Sequence, residues 1–163
     1  MTRTVLSTLQ TPPETDLDPG APLEAFWCTI EVGEEAVSRG VPHVNNAEYV
    51  RFVDRIAELA TDEAGFTREA MLADQHMWFV ARHEIDYRAE AFVGDHLVAA
   101  TWIRDWTRTT VTRETRILRP SDGKLVIVAS TRWAFVDLQT RRPARIPPSM
   151  REAFPRSSGA TPP

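Results

Sequence analysis

Cysteine is nearly absent from this chain: Cys28 stands alone, which excludes an intrachain disulfide and any multi-cysteine zinc site. No apolar run approaches the 18 or so residues that a membrane-spanning helix needs, and Met1 to Gln10 lack the apolar stretch of a secretory signal. Charge of one sign is missing too. The 19 basic and 23 acidic residues, a formal charge of -4, are spread along the chain without the continuous basic stripe that a nucleic-acid backbone demands. Neither nucleic acid nor a membrane is an expected partner, and a lone thiol suits a reducing compartment, so the expected location is the cytoplasm.

What is present reads as one ordinary globular domain, with 42% hydrophobic and 26% charged residues in 163. Proline marks its limits. Four of the 12 prolines precede residue 23 and six fall from Pro143 onward, leaving only Pro42 and Pro120 between. The expected organisation is a flexible extension over 1–22, a folded domain over 23–154 and a disordered tail over 155–163.

Within the domain, Ala25 to Val32 is short, aromatic and β-prone, and Gly33, Gly40 and Pro42 then punctuate a loop. From Asn46 to Ala64, Tyr49, Val53, Ile56 and Ala60 recur at helical spacing, with Val50 and Ala57 widening the stripe and Glu48, Arg51, Arg55 and Glu58 opposite. Asn45 or Asn46 is a suitable N-cap and Gly65 a suitable stop. Met77 to Tyr87, His96 to Trp106, Arg108 to Leu118 and Leu125 to Val136 read as long strands joined by short turns, hence as antiparallel neighbours. A five-stranded sheet that must hide one face can curl round the single apolar helix, giving an α+β domain.

Two motifs carry a resemblance. His43-Val44-Asn45-Asn46 leads into a helix continuing Tyr49-Val50-Arg51-Phe52-Val53, and Tyr87-Arg88-Ala89-Glu90-Ala91 leads to Gly94-Asp95. In this order and separation they resemble the 4-hydroxybenzoyl-CoA thioesterase and acyl-CoA thioester hydrolase group of hotdog proteins, with acyl-ACP thioesterases as more distant relatives, over roughly Phe26 to Phe154. The resemblance implies a hotdog fold, a long antiparallel five-stranded sheet wrapped round one central helix, usually as a homo-oligomer, dimer or tetramer. It implies hydrolysis of an acyl-CoA, or of an acyl carrier-protein thioester, with no metal or prosthetic cofactor.

Thioester hydrolysis needs a polarised carbonyl, a base or nucleophile beside it and a channel for the acyl arm. A helix N-terminus supplies unpaired N–H groups and the positive end of the dipole, so the Asn46 amide, which in the resembling group donates to the carbonyl, is the candidate oxyanion donor. Asn45 and Asn46 also serve as plain caps, and both roles are compatible. His43 is either a structural loop histidine or one that orders water or substrate.

The loop departs from the group's pattern at the residue four ahead of the histidine, where an Asp acts as nucleophile or base; here it is Arg39, which stays protonated and can do neither. Arg39 is an exposed loop residue, a contact for CoA phosphate, or a polarising group at the site. The carboxylate is then sought elsewhere. Asp54, eight residues past Asn46, matches a helix carboxylate of one hotdog branch but also fits a solvated pair with Arg51. Glu90 matches a functional Glu of acyl-ACP thioesterases, against the plain alternative of a solvated strand end. Arg104, Arg108 and Arg113 are candidate contacts for CoA phosphate, weighed against ordinary exposed strand arginines.

The tryptophans at 27, 78, 102, 106 and 133 read first as packing. His76, His83 and His96 share no metal-ligand spacing. Two competitors to hydrolysis remain at this level: a catalytically silent acyl-CoA binder, because of Arg39, and a hotdog hydratase or dehydratase, whose Asp-to-His loop is missing.

Overall fold

The computed structural model describes residues 1–13, 20–22 and 24–154. Its elements are β1 (Val5–Leu9), β2 (Phe26–Glu31), a 3-10 turn (Glu34–Ala36), α1 (Asn46–Glu63), α2 (Arg68–Ala73), β3 (His76–Tyr87), β4 (His96–Trp106), β5 (Thr110–Arg119), β6 (Lys124–Asp137), β7 (Arg142–Pro143) and α3 (Pro148–Ala153). Among the described residues the strands form one antiparallel sheet in the order β1-β2-β4-β5-β6-β3, with β7 added beside β6. The five expected strands and the long helix are all present, so the α+β arrangement of a sheet curled on α1 holds.

The helix forms where its sequence allows a clean start. Asn45 stays extended and its side chain accepts a hydrogen bond from the Ala47 N–H at 2.9 Å, filling one of the orphan donors of the first turn. Tyr49, Phe52, Val53, Ile56, Ala57 and Ala60 are buried against the sheet. Phe52 joins the expected stripe while Val50 is only half-buried. At the far end Gly65 adopts φ +90, a left-handed turn that a β-carbon would strain. Ile56, fully buried beside Ile30, Leu97 and Ile117, anchors the packing; Ile56→Ala removes enough contact to cost about 2–5 kcal/mol.

Residues 1–22, expected as a flexible extension, contain a strand. β1 pairs with β2 from Val5↔Glu31 to Leu9↔Trp27, and Gly33 N–H donates to Thr4 Oγ1 at 3.0 Å. Gly33 is needed there because an added β-carbon would collide with the backbone of Arg3 and Thr4. Leu9 and Ala21 pack on Trp27, Val98, Ala100 and Trp102, so the N-terminal segment covers part of the sheet's outer face. Five residues of modest hydrophobicity before a proline cluster leave little periodicity to read. Residues 155–163, expected as a disordered tail, lie outside the described residues.

The helices α2 and α3 were not expected, since six residues are too short to show a 3.6-residue period. Thr67 caps α2 by accepting from the Ala70 N–H at 3.2 Å, and Pro148 occupies the first turn of α3. Ile146, Met150 and Phe154 pack with Ile103, Trp106 and Phe135, closing the end of the sheet remote from the start of α1.

Candidate active site

The chain from the 3-10 turn to α1 is held by backbone pairing. Val37 bridges Val44, Ser38 N–H donates to His43 O at 3.1 Å and Asn45 N–H donates to Ala36 O at 2.8 Å. Residues 39–42 form the tip of this narrow loop, where Gly40 takes φ +77. On its other side the loop meets the β3–β4 connection: His43 bridges Phe92, and Val44 N–H donates to Ala91 O at 2.8 Å. The two motifs, distant in sequence, therefore lie side by side.

Their contact is chemical as well as structural. His43 Nδ1 lies 2.7 Å from Glu90 Oε1. An ionised carboxylate only accepts, so Nδ1 carries the proton, and in the neutral imidazole Nε2 keeps its lone pair. The side chains are 33% and 65% exposed, so water reaches them. Three residues along the chain from His43, the Asn46 N–H has no acceptor among the described residues, and Tyr87 Oη donates to Asn46 O at 3.3 Å, tying the helix start to β3. A histidine–carboxylate contact that water reaches thus comes three residues before the positive end of α1.

Arg119, which sequence reasoning missed, fixes the connection that carries Glu90. Its guanidinium donates to Glu90 O at 2.7 Å, to Asp95 Oδ2 at 2.9 Å, and to Asp122 Oδ1 and Oδ2 at 3.0 and 2.8 Å. Hydrogen bonds from Arg119 hold the Asp122 carboxyl down to about 2. Asp95 in turn accepts from Phe92 N–H at 2.9 Å. The signal was in the chain: Arg119-Pro120-Ser121-Asp122 is a turn whose first and last residues can pair.

Asp54 lies elsewhere. Eight residues of helix carry it about 12 Å from Asn46, to the rim of a cavity of about 520 Å³. Its carboxyl is raised above the usual aspartate range, chiefly by burial, with His83 opposing and Glu58 adding to the shift. His83 Nε2 is 3.8 Å from Asp54 Oδ1, beyond hydrogen-bond reach, while His83 Nδ1 meets Thr131 Oγ1 at 2.9 Å. Trp78, Ile103, Trp106, Val111 and Trp133 line the cavity together with Arg113, and charged residues of α1 such as Arg55, Glu58 and Asp62 line it too.

The remaining candidates disperse. Arg39 is exposed at the loop tip and has no ion pair among the described residues, so no carboxylate is brought to it. Arg104, Arg108 and Arg113 do not form one phosphate-binding group. Arg104 pairs with Glu114 at 2.7 Å; Arg108 lies in a separate hollow with Arg145 and Arg151; Arg113 is buried. Strand alternation is the physical reason, since Arg113 and Glu114 point to opposite faces of β5.

A family model described as the thioesterase-like superfamily matches residues 41–154. The acyl-CoA thioesterase YbgC of Haemophilus influenzae is 28% identical over 112 residues, 68% of this chain and 81% of that protein. A chloroplastic acyl-[acyl-carrier-protein] hydrolase of Cuphea viscosissima is 28% identical over 94 residues, 58% of this chain and 23% of that one. Among solved structures, a 1,4-dihydroxy-2-naphthoyl-CoA thioesterase from Synechocystis superposes with a TM-score of 0.73 at 17% identity, covering 79% of this chain and 94% of that one. The arrangement of sheet and helix is the hotdog fold.

Proposed function

Because the chain belongs to the thioesterase-like superfamily, we propose that it hydrolyses a thioester, of CoA or of an acyl carrier protein, to a free acid and a thiol. The observation that carries this reading is the 2.7 Å contact of His43 Nδ1 with Glu90, three residues before a helix whose first N–H, that of Asn46, has no acceptor among the described residues. The thioester carbonyl oxygen is received by that N–H at the positive end of α1. Water attacks the carbonyl carbon as His43 Nε2 takes its proton, and Glu90 holds the ring in the required tautomer and stabilises the imidazolium. The tetrahedral intermediate collapses with loss of the thiolate, which receives the proton from His43. Asp54, two turns along the helix, borders the acyl arm rather than the water.

The protein acts as a homo-oligomer, a dimer or tetramer. Support comes from β3, twelve residues long and hydrogen-bonded only to β6 among the described strands, with Phe79 and Val80 exposed at 45% and 38% along it. No described helix is long and apolar enough to cross a membrane. Light scattering on the wild type and on Val80→Lys tests the assembly: a multimer weakened by the substitution is expected, and a wild-type monomer contradicts it.

A panel of acyl-CoAs with a thiol reagent tests the activity. Thiol release above background is expected, lost in His43→Ala. Tight ligand binding without release identifies a silent binder instead.

A further inference from the structure

The chain holds three buried arginines on β5, Arg113, Arg116 and Arg119. Two are neutralised in the ordinary way: Arg116 meets Glu114 at 3.3 Å, and Arg119 meets Asp95 and Asp122. Arg113 is the exception. It is 5% exposed and makes one long hydrogen bond, to Thr101 Oγ1 at 3.5 Å, with its guanidinium 5.4 Å from the centre of the Phe154 ring. No carboxylate pairs with it among the described residues. Burial alone pulls its pKa down to about 10, so it remains a cation at neutral pH.

Its surroundings make this costly arrangement informative. Arg113 lies in register with Thr131 on β6, and Trp133, two residues on, faces the same side, so the two are diagonal neighbours. Both line the cavity beside α1. The buried Trp133 indole N–H also lacks an acceptor among the described residues. Five guanidinium N–H donors with one weak contact, next to an indole N–H without an acceptor among the described residues, amount to an unfilled acceptor site where Trp78, Ile103, Trp106 and Val111 supply the apolar wall, while Asp54, Glu58 and Asp62 with Arg51, Arg55 and Arg68 supply the charged part of the lining. Buried charges are rarely left so unless a partner arrives.

We propose that this cavity takes an acyl group ending in a carboxylate, which Arg113 and the Trp133 N–H receive, so that the enzyme prefers the hemithioester of a dicarboxylic acid. The inference rests on the hydrolase reading above. The apolar walls hold the spacer, and the roughly 12 Å of helix between Asn46 and Asp54 sets a medium-length arm between the thioester carbonyl and the cavity. Hydrolysis adds water across the C–S bond and releases the dicarboxylic acid and the thiol; the distal carboxylate takes no part.

The test compares suberoyl and octanoyl thioesters of N-acetylcysteamine, which have the same acyl length and differ in the terminal carboxylate. Wild type should favour suberoyl in kcat/KM by about tenfold or more, the scale of one charge-assisted hydrogen bond. Arg113→Met, whose apolar replacement of a buried cation is tolerable for folding, should favour octanoyl. Equal turnover of the two by wild type, or a preference for octanoyl, overturns the proposal. If neither is hydrolysed, the hydrolase reading fails, and calorimetric binding of the same thioesters to wild type decides the inference: tighter binding of suberoyl supports it and equal binding overturns it.

Discussion

A histidine faces a carboxylate at two places along α1, and the two pairs differ in contact. At the open helix start, His43 and Glu90 are in hydrogen-bond contact at 2.7 Å and water reaches both. Two turns along, His83 and Asp54 stand 3.8 Å apart, and burial raises the Asp54 carboxyl toward its neutral form. A proton relay to water needs contact, a defined tautomer and solvent, all of which the first pair has. The second lacks the contact although the Asp54 side chain is 50% exposed, and Asp54 lines the cavity beside α1. In the proposed hydrolysis, chemistry and acyl selection fall to different stretches of one helix.

Substitutions that hit one region and spare the other test that division. The largest effect is expected from His43→Ala, which should lower kcat by on the order of 10² to 10⁴ without comparable loss of stability; an equal loss in His83→Ala, measured by the same thiol release, breaks the comparison. Next comes Asn45→Ala, which removes the cap accepting from Ala47 N–H. It should cost about 1 kcal/mol in chemical denaturation, and a drop in kcat beyond that of other equally destabilised variants shows that the cap also orders the carbonyl site. Tyr87→Phe removes the 3.3 Å bond to Asn46 O and should slow turnover by roughly twofold to tenfold, the worth of one ordinary hydrogen bond.

The smallest effect concerns Asp54 and pH. Asp54 has a higher pKa folded than unfolded, so the folded state binds its proton more tightly. Stability from this group is full below the ordinary value of 3.8 and is lost as pH rises through the raised folded value. Asp54→Asn should therefore melt slightly above wild type at neutral pH, with the advantage fading on acidification below that ordinary value. A gap that widens instead on acidification assigns Asp54 a stabilising ionic role and contradicts the burial account.

Sequence alone disclosed the long elements and the two motifs because each carries many residues of consistent period or spacing. β4 matches its expected bounds, His96–Trp106, and α1 ends within a residue of its expected stop. β1, α2 and α3 escaped because five or six residues hold too little pattern. His43, Asn46 and Glu90 were all legible as candidates, but the 47-residue separation of His43 from Glu90 hid their contact. Arg113 shows the other limit. Alternation along β5 was readable, yet which face meets α1 depends on pairing with β4 and β6, so an arginine buried in a cavity looked the same as one on the surface.

The division of labour along α1 is tested most directly by measuring kcat/KM of Glu90→Gln and Asp54→Asn side by side on one acyl-CoA that the wild type hydrolyses. Glu90→Gln should fall by on the order of 10², while Asp54→Asn stays within about tenfold of wild type. The reverse order, with Asp54→Asn inactive and Glu90→Gln near wild type, would move the chemistry to the cavity and contradict it.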